Sequence, residues 1–276
     1  MKIIDGKALA ARVRARLKEQ IEKSGKEVGL AVVLVGGDPA SRIYVRNKEK
    51  ACAEVGIRSY TYELPENVTQ TELEGLLSAL GGDARMHGIL LQLPLPPGLD
   101  AKAALGRIPE CKDVDGFSAG NLGKLVLGEA PIAACTPLGV MKLLESEGIS
   151  PAGKHAVILG RSETVGKPLA LLLLNADATV TVCHSKTNRL KEICRQADIL
   201  VSAVGRPKFV TADMVKEGAV VIDVGINRDE NGKLCGDVDF AGAAEKASFI
   251  TPVPGGVGPM TVAMLLCNTF AAATEE

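Results

Sequence analysis

Apolar residues at Leu9, Val13, Leu17 and Ile21 recur every fourth position, which predicts an amphipathic first helix. The next apolar block, "GLAVVLV", runs on without alternation and reads as a buried strand closed by a Gly-Gly-Asp-Pro turn. A helix over 40–55 and a strand "RSYTYEL" come next. The following helix is opened by Thr69 with Glu72 three residues later, the pattern of a capping box. "MHGILLQLPLP" predicts an apolar strand stopped by prolines, which lack the N–H a ladder needs. The stretch 106–135, with "IPECKDVDGFSAGNLGK", is too polar and glycine-rich for a core element. A helix over 137–147 follows, with Pro137 suited to its first turn. Then come strand 155–160, helix 166–175, strand 178–183, helix 188–196 and strands 198–204 and 219–224. "ITPVPGGVGPMT" interrupts the series before a last helix over 260–272. Strand and helix alternate twice over, so the expected fold class is α/β: two α/β domains with parallel sheets covered on both faces and a cleft between them. The expected boundaries are 1–136, completed by a C-terminal helix over 258–276, and 137–257.

Composition narrows the function classes. The chain has 276 residues, 46% hydrophobic and 24% charged, enough to bury a sizeable core. A net charge of −1, no Trp and 3% aromatics offer neither a basic footprint nor stacking platforms, so no nucleic acid is expected as a partner. No apolar run approaches the roughly 20 residues of a membrane span. The first helix carries Arg12, Arg14 and Arg16 where a signal peptide needs an apolar core. Seven cysteines without a C-x-x-C pair suggest neither a disulfide framework nor a metal site. Adjacent Cys183 and His184 point to opposite faces of a strand. No metal and no membrane are expected, and a reducing, cytoplasmic compartment is.

"VILGRSETVGKPLALLLL" reads as a strand, a tight turn and the start of an apolar helix, where N–H groups and the helix dipole favour an anion. Gly160 permits the sharp turn and Gly166 close packing of the departing helix, while Ser162 stands in place of the second glycine of the usual dinucleotide fingerprint. The order strand, turn, helix, strand makes the second domain Rossmann-like. Its next strand ends in Cys183-His184-Ser185-Lys186-Thr187 and carries no carboxylate for a ribose 2′-hydroxyl. Ser185 and Lys186, with Arg161, suit a 2′-phosphate instead, so NADP is favoured over NAD. A solvated basic loop is the alternative reading.

In the first domain, Tyr44 and Lys48 are four apart on one helix face. Gln92 lies near a strand end, and Asp113 and Asp115 in "KDVDGF" are also what a simple turn requires. Together with "YVRNK", "LLQLPLP", "CTPLG", "GRSETVGKP", "CHSKT", "VIDVGIN", "GDVDF" and "TPVPGGVGPMT", in that order, they give a chain that closely resembles the bifunctional methylenetetrahydrofolate dehydrogenase/cyclohydrolase family in its short bacterial form.

The resemblance implies NADP-dependent oxidation of 5,10-methylenetetrahydrofolate to the 5,10-methenyl cation. Hydrolysis to 10-formyltetrahydrofolate follows at the same site, a step of one-carbon metabolism. It implies that Lys48 is the principal catalytic residue, that Tyr44 packs on the folate, that Gln92 hydrogen-bonds the lysine, and that Asp115 holds the pterin. Ser41 falls at the family's serine position, and Pro252, Gly255 and Gly256 at the substrate-side loop. Arg161 and Ser185 fall at the 2′-phosphate, and Gly225, Ile226 and Thr251 at the nicotinamide. A homodimer is implied too. Where the family has Pro-Cys-Thr-Pro this chain has Ala134-Cys135-Thr136-Pro137, which loosens the approach to the next helix. In "GDVDF" the expected role is structural, with Asp239 capping a helix.

Three other readings stay open. One is a dehydrogenase without strong cyclohydrolase activity; nothing in the chain marks that loss. Another is a non-catalytic NADP-binding sensor, which predicts decay of the Lys48, Gln92 and Asp115 set; the set is intact. The third is a hydroxy-acid dehydrogenase of similar build, for which His87, His155 and His184 form no recognisable motif.

Overall fold

The computed structural model describes residues 1–274, apart from the side chain of Ala40. The chain divides into two compact units: Arg12–Cys135 with Val262–Glu276, and Met1–Ala11 with Thr136–Thr261.

The chain opens with β1 (Lys2–Ile3) and α1 (Gly6–Ser24), then alternates β2 (Gly29–Val35), α2 (Pro39–Val55), β3 (Arg58–Leu64), α3 (Gln70–Gly82) and β4 (Gly88–Leu91). Two short helices follow, α4 (Ala101–Leu105) and α5 (Ala119–Leu127). β2 is buried along its whole length because β3 and β4 flank it, both parallel, in the order β3-β2-β4. The capping box of α3 forms as expected: the Thr69 hydroxyl accepts from the Glu72 amide, and the Glu72 carboxylate accepts from the Thr69 amide. α2 starts at Asp38, whose carboxylate accepts from the Ser41 amide, and stops at Gly56 in the left-handed conformation (φ 87°).

The irregular stretch 106–135 needs correction, since it contains the nine-residue helix α5. Ser118 caps it by accepting from the Asn121 amide, a local signal that the glycines around it masked.

The remaining elements are α6 (Cys135–Ser146), β5 (His155–Leu159), α7 (Gly166–Asn175), β6 (Thr179–Cys183), α8 (Leu190–Cys194), β7 (Ile199–Ser202), β8 (Val220–Asp223), the hairpin β9 (Asn227–Arg228) and β10 (Leu234–Cys235), α9 (Phe240–Ala244), β11 (Phe249–Ile250) and α10 (Val257–Thr274). Six parallel strands run in the order β1-β11-β8-β7-β5-β6. β1 joins through Lys2 opposite Phe249 and Ile3 opposite Ile250. Residues 1–11 therefore belong with the later unit, not with the first domain as the linear reading had it.

α10 reaches 18 residues and is by length and composition apolar enough to cross a membrane, which the sequence reading did not anticipate. Most of it (56%) is buried, and its Asn268 and Thr269 spend their polar groups inside the protein, as in a core helix.

Candidate functional site

Lys48 lies on α2 one turn beyond Tyr44, which is 44% exposed, and one turn before Cys52, which is fully buried. The lysine Nζ donates to Gln92 Oε1 at 2.9 Å. The orientation of that amide follows from its other end: Gln92 Nε2 donates to the Leu93 carbonyl at 2.6 Å, which leaves the oxygen for the lysine. Gln92 is held at the end of β4, where its backbone N–H extends the ladder to the Val33 carbonyl. Ser41 is buried near the start of the same helix.

Asp113 and Asp115 have separate tasks. Asp113 is 2% exposed, and its Oδ2 accepts from the Ser118 amide at 2.7 Å and from Asn121 Nδ2 at 3.1 Å. It fixes the loop. Gly116 has φ 71°, and a Cβ there would sit 2.6 Å from the backbone of Ala133 and Ala134, so the loop lies tight against 133–135. Asn268 of α10 clamps both sides, donating to the carbonyls of Val114 (2.8 Å) and Ala133 (2.9 Å). The Cys135 thiol donates to the Val114 carbonyl at 3.2 Å.

Electrostatics couple Lys48 to Asp115. Burial pushes the Asp115 carboxyl up to about 6; the Lys48 charge opposes that, and Asp113 adds to it. Burial lowers the Lys48 amine from its ordinary range, against the pull of Asp115. Burial also raises both neighbouring thiols, Cys52 to about 12 and Cys135 well above its ordinary value, so both stay neutral. A desolvated amine of lowered pKa, electrostatically coupled to a carboxyl raised to about 6, is suited to exchanging a proton. Cys135, Asn268 and the loop-fixing part of Asp113 escaped the sequence reading. The Cys-Thr-Pro segment was visible there, but only packing shows that its thiol backs the aspartate loop.

In the other unit, Gly160 has φ 118°, and a Cβ there would meet the Ala203 carbonyl at 2.4 Å. A Cβ on Gly166 would meet the Gly160 carbonyl at 2.2 Å. Both glycines are therefore required by close backbone approach, which makes a cradle that fits a dinucleotide phosphate. One expectation is corrected. The amides at the start of α7 are not all free, because Ser162 Oγ accepts from Val165 (3.1 Å) and Gly166 (3.3 Å). At the end of neighbouring β6, the His184 amide donates to Thr187 Oγ1 (2.8 Å) and the Lys186 amide to His184 Nδ1 (3.2 Å). This turn presents Ser185 and Lys186, both exposed, as Arg161 is.

Gly225 and Ile226 follow β8, and Ile226 is 51% exposed. Thr251 is buried, its hydroxyl accepting from the Asp223 amide at 2.7 Å. The loop Pro252, Gly255 and Gly256 is braced by the N-terminal segment: the Lys7 amide donates to the Gly255 carbonyl, and a Cβ on Gly6 would meet the Gly256 carbonyl at 1.8 Å. Asp239 stands at the N-cap of α9 without a side-chain cap bond, so the expected capping role is not seen. In that motif it is Asp237 whose carboxylate is bonded, to the amides of Val204 and Arg206 among others.

Residues 4–115 match the family described as tetrahydrofolate dehydrogenase/cyclohydrolase, catalytic domain, and residues 134–276 its NAD(P)-binding domain. The bifunctional protein FolD of Campylobacter concisus is 59% identical over 100% of this chain and 99% of its own length. The solved FolD methylenetetrahydrofolate dehydrogenase/cyclohydrolase of Campylobacter jejuni superposes with a TM-score of 0.97 at 53% identity, covering 100% of this chain and 99% of that one. The Trypanosoma brucei enzyme, complexed with NADP cofactor and inhibitor, gives 0.94 at 43% identity, over 99% and 97%. With both domain matches in sequence order and identities above half across the full length, the chain belongs to the tetrahydrofolate dehydrogenase/cyclohydrolase family.

Proposed function

We propose that Lys48, oriented by Gln92 and charge-coupled to Asp115, is the catalytic residue of a bifunctional enzyme. The enzyme oxidises 5,10-methylenetetrahydrofolate to the methenyl cation with NADP and hydrolyses that cation to 10-formyltetrahydrofolate. The observation that carries this reading is the 2.9 Å Lys48–Gln92 bond beside a carboxyl raised to about 6.

When bound, NADP supplies the hydride acceptor, and oxidation of the methylene bridge needs no protein acid or base, only rings held face to face. The chain's chemistry lies in the second reaction. The amine of Lys48 accepts a proton from water as the water oxygen bonds the methenyl carbon. Ring opening then moves the hydroxyl proton to the departing nitrogen, and one proton goes to solvent overall. Burial lowers the amine's pKa and so raises the share of neutral amine, the only form able to accept that proton. The two oxygens of Asp115 accept paired N–H donors of the pterin, Tyr44 covers the aromatic part of the folate, and Ser41 lies on the same helix as Tyr44.

For NADP, Gly160 and Gly166 admit the pyrophosphate backbone. Ser162 Oγ accepts from the Val165 and Gly166 amides at the start of α7 and from the Thr164 hydroxyl, and its own O–H is the donor it has for the phosphate. Arg161, Ser185 and Lys186 take the 2′-phosphate, and Gly225, Ile226 and Thr251 the nicotinamide end. The proposal includes a homodimer, as the family resemblance implies, and a cytoplasmic location, as the cysteine pattern and the charged first helix imply.

An optical assay with methylenetetrahydrofolate and either NADP⁺ or NAD⁺ tests this reading. Reduced cofactor forms with NADP⁺ in preference; no reduction with either removes the dehydrogenase assignment, and preference for NAD⁺ removes the roles of Arg161 and Ser185.

A further inference from the structure

The most heavily hydrogen-bonded side chain of the later unit takes no part in the roles above. Asp237 is 0% exposed, and its carboxylate accepts five hydrogen bonds. Oδ2 accepts from Ser202 Oγ (3.2 Å), the Val204 amide (2.7 Å) and the Gly205 amide (3.2 Å); Oδ1 accepts from the Arg206 amide (2.9 Å) and Asn227 Nδ2 (2.9 Å). Three consecutive amides curling round one anion form a nest, a device that elsewhere binds a free anion. Here the chain supplies its own.

The place of this nest in the fold gives it meaning. Ser202 ends β7 and Asp223 ends β8, two parallel strands of the sheet that carries the Gly160 turn at the end of β5. In such sheets ligands bind beyond the carboxyl ends of the strands. The Ala203 carbonyl, next to the nest, is also what a Cβ on Gly160 would strike, so the 203–206 loop packs directly against the glycine turn. On its other side Asp237 reaches the segment after β8: Asn227 donates to it, and a Cβ on Gly225 would fall 2.2 Å from its Oδ1. Asp223 ties the same knot from below, accepting from the amides of Gly225, Asp237 and Val238 at 2.9 Å each.

We propose that Asp237 is a positioning residue for the dinucleotide: its buried carboxylate fixes loops 203–206 and 225–227 in their binding shape before NADP arrives. A loop already held in its bound form has less freedom to lose on binding, and affinity rises accordingly. A buried anion without hydrogen-bond donors would be costly; five donors make this one a rigid centre. The inference rests on the reading that 225–226 border the cofactor.

The test uses the two activities as internal controls, since the groups assigned to the proton transfer and the pterin, Lys48, Gln92 and Asp115, lie in the other unit. Asp237→Asn keeps the shape but turns an NH2 toward N–H donors. Direct titration of NADP⁺ by calorimetry should show affinity lowered about tenfold or more, the scale of one charge-assisted hydrogen bond. The dehydrogenase KM for NADP⁺ rises in step and kcat recovers at saturation, while methenyl hydrolysis, which consumes no NADP⁺, stays within about twofold. Affinity for NADP⁺ unchanged in Asp237→Asn, or equal loss of both activities, overturns the proposal. If that variant does not fold, Ser202→Ala, which removes one donor and leaves no mismatched amide, decides: NADP⁺ affinity lowered by about two- to fivefold supports positioning, and wild-type affinity overturns it. Ile226→Ala in the same titration separates the two readings. No change there strikes the assignment of 225–226, whereas no change in the Asp237 and Ser202 variants strikes the inference itself.

Discussion

Lys48 Nζ and Gln92 Oε1 lie 2.9 Å apart, the lysine on α2 and the glutamine at the end of β4, and the glutamine's own NH2 is spent on the Leu93 carbonyl. This second bond makes the first directional. The amide is held with its oxygen toward the amine, so the lysine side chain has one orientation in an environment that lowers its pKa by burial.

Lys48→Met keeps much of the apolar stem and removes the amine. Methenyl hydrolysis should fall by at least about 10²-fold, the usual scale for a positioned proton carrier, while folate still binds. A stopped-flow absorbance assay of methenyl decay checks it. A wild-type rate in the variant would make the lysine a bystander.

Asp115 sets an acid limit. Its carboxyl is raised to about 6, so the charged form that accepts pterin N–H groups is present above that pH and is lost as pH falls through it. The folate KM should therefore climb between neutral pH and about 5, and this limb should vanish in Asp115→Asn, whose KM is high throughout. A pH series of initial rates from 5 to 8 reads both. Identical profiles for the two proteins would exclude Asp115 from substrate recognition.

Arg161→Ala and Ser185→Ala should each weaken NADP⁺ more than NAD⁺, because only the former carries the 2′-phosphate that these groups are assigned to meet. The expected loss is about tenfold for the arginine, read as the ratio of kcat/KM with the two cofactors. An unchanged ratio in both variants counts against the pocket.

Gly160→Ala tests the turn. At φ 118°, with a carbonyl 2.4 Å from the new Cβ, the backbone must shift, at a cost of about 1–3 kcal/mol. Dehydrogenase activity should fall sharply, with hydrolysis less affected, and the urea midpoint should drop. A variant as stable as wild type with normal NADP⁺ affinity would contradict the close approach.

Asn268→Ala leaves the carbonyls of Val114 and Ala133 without this donor in a buried place. The Val114 carbonyl keeps the Cys135 thiol, so the Ala133 carbonyl is the one that loses this donor outright; an unsatisfied group costs about 1–3 kcal/mol, and the urea midpoint should fall, the 113–116 loop loosen and the folate KM rise. Unchanged stability would show that other donors replace it.

Local pattern determined a good deal of this protein. "RSYTYEL" is β3 from Arg58 to Leu64, and α7 runs from Gly166 to Asn175, because strand composition, the Gly160 turn and helix periodicity act within a few residues. The Thr69 capping box is likewise complete in four residues. Motif order pointed to the lysine, the glutamine and the aspartate of the catalytic unit, whose side chains come from α2, the end of β4 and the loop before α5. Tertiary structure alone decided the rest. β1 is two residues long and carries no periodicity; it is a strand because Phe249 and Ile250 stand beside it, so residues 1–11 went to the later unit. The five donors of Asp237 come from Ser202, three amides at 204–206 and Asn227, and the clamp of Asn268 closes on carbonyls at 114 and 133. A buried polar group must be satisfied, but its partners can come from anywhere in the chain, and spacing along the sequence holds no trace of which ones fold to meet it.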